Sequence, residues 1–100
     1  MLYLASYDIE NDKLRLKVAN SLLAAGLERL QRSVFVGTLD DGGQQRLLTE
    51  INRYLLDADP AGTQFMLMPL AEAYARKTDW LGHGPPDWTY HCHQALTLII

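Results

Sequence analysis

Met1-Leu2-Tyr3-Leu4-Ala5-Ser6-Tyr7-Asp8-Ile9-Glu10-Asn11-Asp12-Lys13-Leu14-Arg15-Leu16-Lys17 opens the chain and decides its architecture. Leu2 to Tyr7 is nearly continuous in apolar residues, the pattern of a central strand covered on both faces. Asp8-Ile9 closes that strand. Asn11 or Asp12 can then cap a helix by accepting hydrogen bonds from its free amides. A carboxylate at the end of the first strand, followed by Lys13, Arg15 and Lys17, sets an acid beside bases. Such an arrangement can hold a metal ion and a phosphate backbone together.

Working outward, Leu14, Val18, Leu22 and Ala25 fall on one face of the predicted helix, and Gly26 ends it. Leu27 to Leu39 is a second β region, read either as one long strand or as two short strands in a tight hairpin. No Asn-Gly or Asp-Gly pair marks a turn inside it. Asp40-Asp41-Gly42-Gly43 punctuates the chain. Gln44 to Leu56 is the second helix, with Leu47, Ile51, Tyr54 and Leu55 as its buried stripe. Residues 57 to 62 form a turn, and Gln64 to Leu70 is the next strand. Glu72 to Lys77 fits one short helix, Gly84-Pro85-Pro86 breaks the chain, and Leu96 to Ile100 is a terminal strand-like run.

This order predicts an α/β (more narrowly α+β) sandwich with both helices on one face of a small sheet. With the middle region as a hairpin it becomes βαββαβ, the ferredoxin-like unit. Residues 1–82 form the domain and 83–100 a tail. The helices leave the other sheet face bare although the strands are apolar on both faces. Dimerisation through that face, with the last strand pairing to a second copy's sheet edge, resolves the mismatch.

One hundred residues, 48% apolar and 21% charged, suit a single globular domain. A formal charge of -3 argues against coating nucleic acid through bulk positive charge. Between Lys13 and Arg46, however, Lys13, Arg15, Lys17, Arg29, Arg32 and Arg46 face only Glu28, Asp40 and Asp41, which allows a local basic patch. Cys92 is the single cysteine, so a reducing compartment is the simpler expectation. No signal-peptide pattern and no apolar run of about 18 residues occurs, so a soluble cytoplasmic protein is expected, without a membrane span.

Three blocks, Leu2 to Ile9 with its Tyr-Asp-Ile end, Asp12 to Val18, and Gly26 to Gly37 with Gln31-Arg32-Ser33-Val34-Phe35, together resemble the CRISPR-associated Cas two family. The resemblance covers roughly the first 70 residues. It implies a ferredoxin-like homodimer with the two sheets facing each other and a C-terminal strand exchanged between subunits. It also implies spacer acquisition beside the Cas one integrase, on double-stranded DNA. Family members have been described as magnesium-dependent endonucleases as well. The runner-up is a stand-alone toxin-type endoribonuclease of the same fold, and a third reading is a non-catalytic dimeric module. Tyr7, Asp8, Arg15, Arg29 and Phe35 occupy positions of the family's proposed nuclease residues. That makes Asp8 and Tyr7 the catalytic candidates and Asp8 the ligand for Mg2+.

Each residue also has a plainer use. Asp8 can ligate a magnesium ion or accept hydrogen bonds from the helix start. Arg15, Lys17, Arg29 and Arg32 can contact phosphates or form a solvated, ion-paired surface. Tyr7 and Phe35 read as core or dimer-face residues, and Trp80 and Trp88 as anchors of the tail. His91-Cys92-His93, with His83 nearby, invites a metal reading in which His91 and His93 share a strand face. Zinc-type sites usually take three or four ligands at recognisable spacing, which favours the reading of a packed tail.

Overall fold

The computed structural model of the chain describes residues 1–92. Its elements are β1 (Leu2–Ile9), α1 (Asp12–Ala24), β2 (Glu28–Gln31), β3 (Val34–Thr38), α2 (Asp41–Leu55), β4 (Thr63–Leu70) and α3 (Glu72–Ala75). A 3-10 turn, Pro60–Gly62, leads into β4. The sheet runs β2-β3-β1-β4, and every pairing is antiparallel. This is the ferredoxin-like βαββαβ fold, with β1 at the centre as its apolar run predicts.

Side chains alternate across β1. Tyr3, Ala5, Tyr7 and Ile9 face the helices and form one core with Val18, Ala19 and Leu22 of α1, Phe35 of β3, and Leu47 and Ile51 of α2. Leu14 and Leu55 pack at its margin. Asn11 is the cap of α1, accepting from the Leu14 amide at 3.0 Å. The helix leaves through Gly26, whose φ of 94° lies in the left-handed region that side chains avoid.

The middle β region is a hairpin. Its turn, Arg32-Ser33, needs no left-handed residue, since no non-glycine residue among those described has positive φ. The usual Asn-Gly signal is therefore absent for a physical reason. A register shift between Arg29 and Gln31 places a bulge in β2. From outside the hairpin, the Tyr7 amide donates to the Ser33 carbonyl at 3.1 Å, and the Tyr7 hydroxyl donates to the Arg32 carbonyl at 3.3 Å. The α2 helix starts three residues before the predicted Gln44. The Asp40 carboxylate accepts from the Gly43 amide at 2.6 Å, so the apparent punctuation is the helix cap and first turn.

The second sheet face is only half bare, which corrects the expectation of a wholly uncovered one. Leu2 and Val36 are buried beneath Ala75, with Leu30, Leu70 and Trp88 against them. Residues 88–92 are helical. The Thr38 hydroxyl donates to the His91 carbonyl at 3.0 Å, and His91 Nε2 lies 3.2 Å from Glu28 Oε1. The other half, around Leu4, Ser6 and Asp8, keeps Met66 and Met68 exposed at 47% and 41%. Leu96 to Ile100 lies outside the described residues.

Candidate nucleic-acid and metal site

The end of β1 carries the candidate site because alternation splits its last residues between two environments. Tyr7 and Ile9 are buried under the helices, and Asp8 between them is exposed on the opposite side. Asn11 serves the start of α1, so Asp8 is not the cap that its plainer reading proposed. Asp8 has no ion-pair partner among the described residues.

Tyr7, Asp8, Asp12, Arg15, Arg29, Arg32 and Ser33 line one surface cleft of about 660 Å3. Three of the four expected basic residues thus line the same cleft as the expected acid. Lys17 does not. Arg15 and Lys17 are two residues apart, about 200° around a helix, so they cannot share a face. Lys17 instead lies with Lys13 and Tyr54 in a separate groove, its ammonium 5.6 Å from the Tyr54 ring centroid.

The three arginines differ in what holds them. Arg29 stands 5.0 Å over the ring of the fully buried Phe35, which supports the guanidinium without itself reaching the surface. Arg32 is exposed on the hairpin turn, and neither it nor Arg29 has a carboxylate partner among the described residues. Arg15 is engaged by its own loop: it donates to the carbonyls of Ile9 at 3.0 Å and Glu10 at 3.3 Å, and it pairs with the Asp12 carboxylate. Tyr7 is placed as a core residue, 5% exposed, with its hydroxyl directed at the hairpin turn.

Glu10 is the carboxylate that sequence reasoning missed. It shares a polar recess of about 270 Å3 with Asp8, Gln64 and the Pro60–Gly62 turn. The signal was its spacing of two from Asp8 in extended chain, which keeps both acids on one side. No group of three His, Cys, Asp or Glu suited to a metal ion occurs among the described residues. Magnesium is commonly held by one or two carboxylates with retained waters, so Asp8, with Glu10 beside it, fits that donor chemistry. His91 and Cys92 lie on a helix, not the strand that the metal reading assumed; His91 faces Glu28, and Cys92 is buried.

A four-stranded antiparallel sheet in the order β2-β3-β1-β4, with α1 and α2 on one face, defines the class of ferredoxin-like α+β proteins. The family model for CRISPR associated protein Cas2 matches residues 1–78, and the chain belongs to that family. It is 34% identical over 89 residues to the CRISPR-associated endoribonuclease Cas2 1 of Chloroflexus aurantiacus, covering 89% of this chain and 92% of the relative. It is 42% identical over 65 residues to the CRISPR-associated endoribonuclease Cas2 2 of Pyrobaculum aerophilum, covering 65% and 71%. Among solved structures, a hypothetical protein of Thermus thermophilus superposes with a TM-score of 0.69 at 34% identity, covering 85% of this chain and 94% of that one. The crystal structure of Streptococcus pyogenes Cas2 at pH 6.5 also gives 0.69, over 82% and 100% of the two chains; at 21% identity it speaks for the fold alone.

Proposed function

We propose that this chain is a homodimeric subunit of the CRISPR spacer-acquisition machinery. It binds double-stranded DNA and the Cas one integrase in the cytoplasm, and it carries a magnesium-dependent phosphodiester-cleaving site at Asp8. The observation that carries the reading is the gathering of Asp8, Arg29 and Arg32 in one cleft beside the open half of the second sheet face, where Met66 and Met68 are exposed. Arg29 and Arg32 hold backbone phosphates, giving salt-dependent and sequence-tolerant binding. Asp8 supplies the negative charge that retains the cation, and the cation when bound supplies charge neutralisation and an activated water. Uncovered Met66 and Met68 support a second copy docking on that face, which would bring two Asp8 residues toward a common axis. Their mutual repulsion then favours a shared cation.

The second reading, an endoribonuclease acting alone, is favoured by the names of the relatives. One preparation tests both. Wild type and Asp8→Asn are assayed for magnesium-dependent cleavage of RNA and DNA, for co-elution with the integrase, and for spacer integration. The proposal expects Asp8→Asn to lose cleavage while keeping dimer, co-elution and integration. RNA cleavage without integrase association supports the second reading, and full-rate cleavage by Asp8→Asn removes Asp8 from the chemistry.

A further inference from the structure

We infer that Arg15 is a positioning residue for the Asp8 site and not a phosphate contact; the inference rests on the reading of Asp8 as the cation's ligand. Its guanidinium reaches back from the first turn of α1 to the two residues that follow Asp8. Nη1 donates to the carbonyls of Ile9 at 3.0 Å and Glu10 at 3.3 Å, and Nη2 pairs with the carboxylate of Asp12. From the opposite side, the Glu10 amide donates to the Gly62 carbonyl at 3.0 Å. The Ile9–Glu10 and Glu10–Asn11 peptides, which flank Glu10 and begin one residue after Asp8, are thus clamped between α1 and the turn before β4.

The position of Arg15 is costly without these contacts. A cation in the first turn of a helix is opposed by the helix dipole, which favours negative charge there. Two carbonyl oxygens and a carboxylate offset that opposition. The planar guanidinium presents several N–H groups in a fixed fork, so it can span successive carbonyls and Asp12 together. A lysine ammonium is a point charge on a flexible stem and cannot reproduce the span. With Arg15 occupied, the phosphate contacts fall to Arg29 and Arg32, which have no carboxylate partner among the described residues.

The test compares wild type, Arg15→Lys, Arg15→Ala and Arg29→Ala in the full chain. The readouts are amide exchange across residues 9–14, Mn2+ affinity by paramagnetic resonance, and the salt slope of duplex binding. A positioning role predicts that Lys does not rescue. Both Arg15 variants exchange faster at the Glu10 and Leu14 amides and bind Mn2+ about tenfold more weakly, as loss of outer-shell support typically produces. Their salt slope stays at the wild-type value, whereas Arg29→Ala lowers it by about one. Normal exchange and Mn2+ affinity in Arg15→Lys, or a slope lowered by one in Arg15→Ala, overturns the inference. If Arg15→Ala fails to fold, Arg15→Lys decides, with Asp12→Asn expected to shift exchange in the same direction. If wild type itself binds no Mn2+, the assignment of Asp8 fails, and the exchange data still decide whether Arg15 holds the loop.

Discussion

Tyr7 and Asp8 are chain neighbours with opposite surroundings: a buried ring under the helices and an exposed carboxylate on the other side of the strand. One residue of strand alternation produces the difference, and it divides positions that the family motif groups together. Cys92 shows the same sensitivity to place. Burial raises its thiol above the ordinary value of 9.0, the Glu72 carboxylate adds to the rise, and Arg76 opposes it. The sign of the consequence follows from linkage. The unfolded chain loses this proton at lower pH than the folded chain, so the contribution is fully present below pH 9 and is lost as pH rises through the folded value. Thermal melts should therefore show wild type losing more stability than Cys92→Ala between neutral and strongly alkaline pH. Equal alkaline losses would place the thiol in water.

At the scale of elements, the hairpin is held less by its own turn than by the strand beside it. Tyr7 pins the Arg32-Ser33 turn through its amide and its hydroxyl. This explains how Gln-Arg-Ser-Val turns without a glycine, and why the local sequence left one strand and two equally open. Gly37 makes the return path of the chain possible, because a Cβ there would lie 2.9 Å from both Cα and Cγ of Leu27. Backbone cannot yield as a flexible side chain does. Gly37→Ala should cost about 1–3 kcal/mol by overpacking, measured by denaturant unfolding. A change within experimental error would show that Leu27 moves freely away from β3.

The whole molecule is asymmetric about its sheet. One face carries α1 and α2 over a continuous core, while the other is covered at the Leu2 end by α3 and residues 88–92 and is open at the Asp8 end. The open end keeps Met66 and Met68 in water. If that end seats a second copy, Met66→Lys with Met68→Lys should shift sedimentation from dimer to monomer at micromolar concentration and leave the melting temperature of the monomer little changed. A dimer that survives both charges must form through another surface.

The amino-acid sequence by itself determined most of the elements and their order: the apolar run of β1, the four- and three-residue spacing of α1, a cap at Asn11 or Asp12 and the Gly26 exit are local signals with local causes, while the choice between one middle strand and two stayed open. It also carried Asp8 and the arginines as a motif, because their types and spacing persist in any fold. What only the tertiary structure decided is which of them meet. Lys13, Arg15 and Lys17 alternate on paper, yet a helix turns about 100° per residue and sends Lys17 to another groove. Arg15 reads as a free cation until the chain reversal after β1 brings two carbonyls and Asp12 to its guanidinium. Trp88 read as an anchor of the tail, but neither it nor His91 gave a local sign of where it would pack, because their partners Leu2, Glu28, Val36 and Thr38 lie more than fifty residues away. Such contacts depend on closing long loops in three dimensions, and no window along the chain contains both ends.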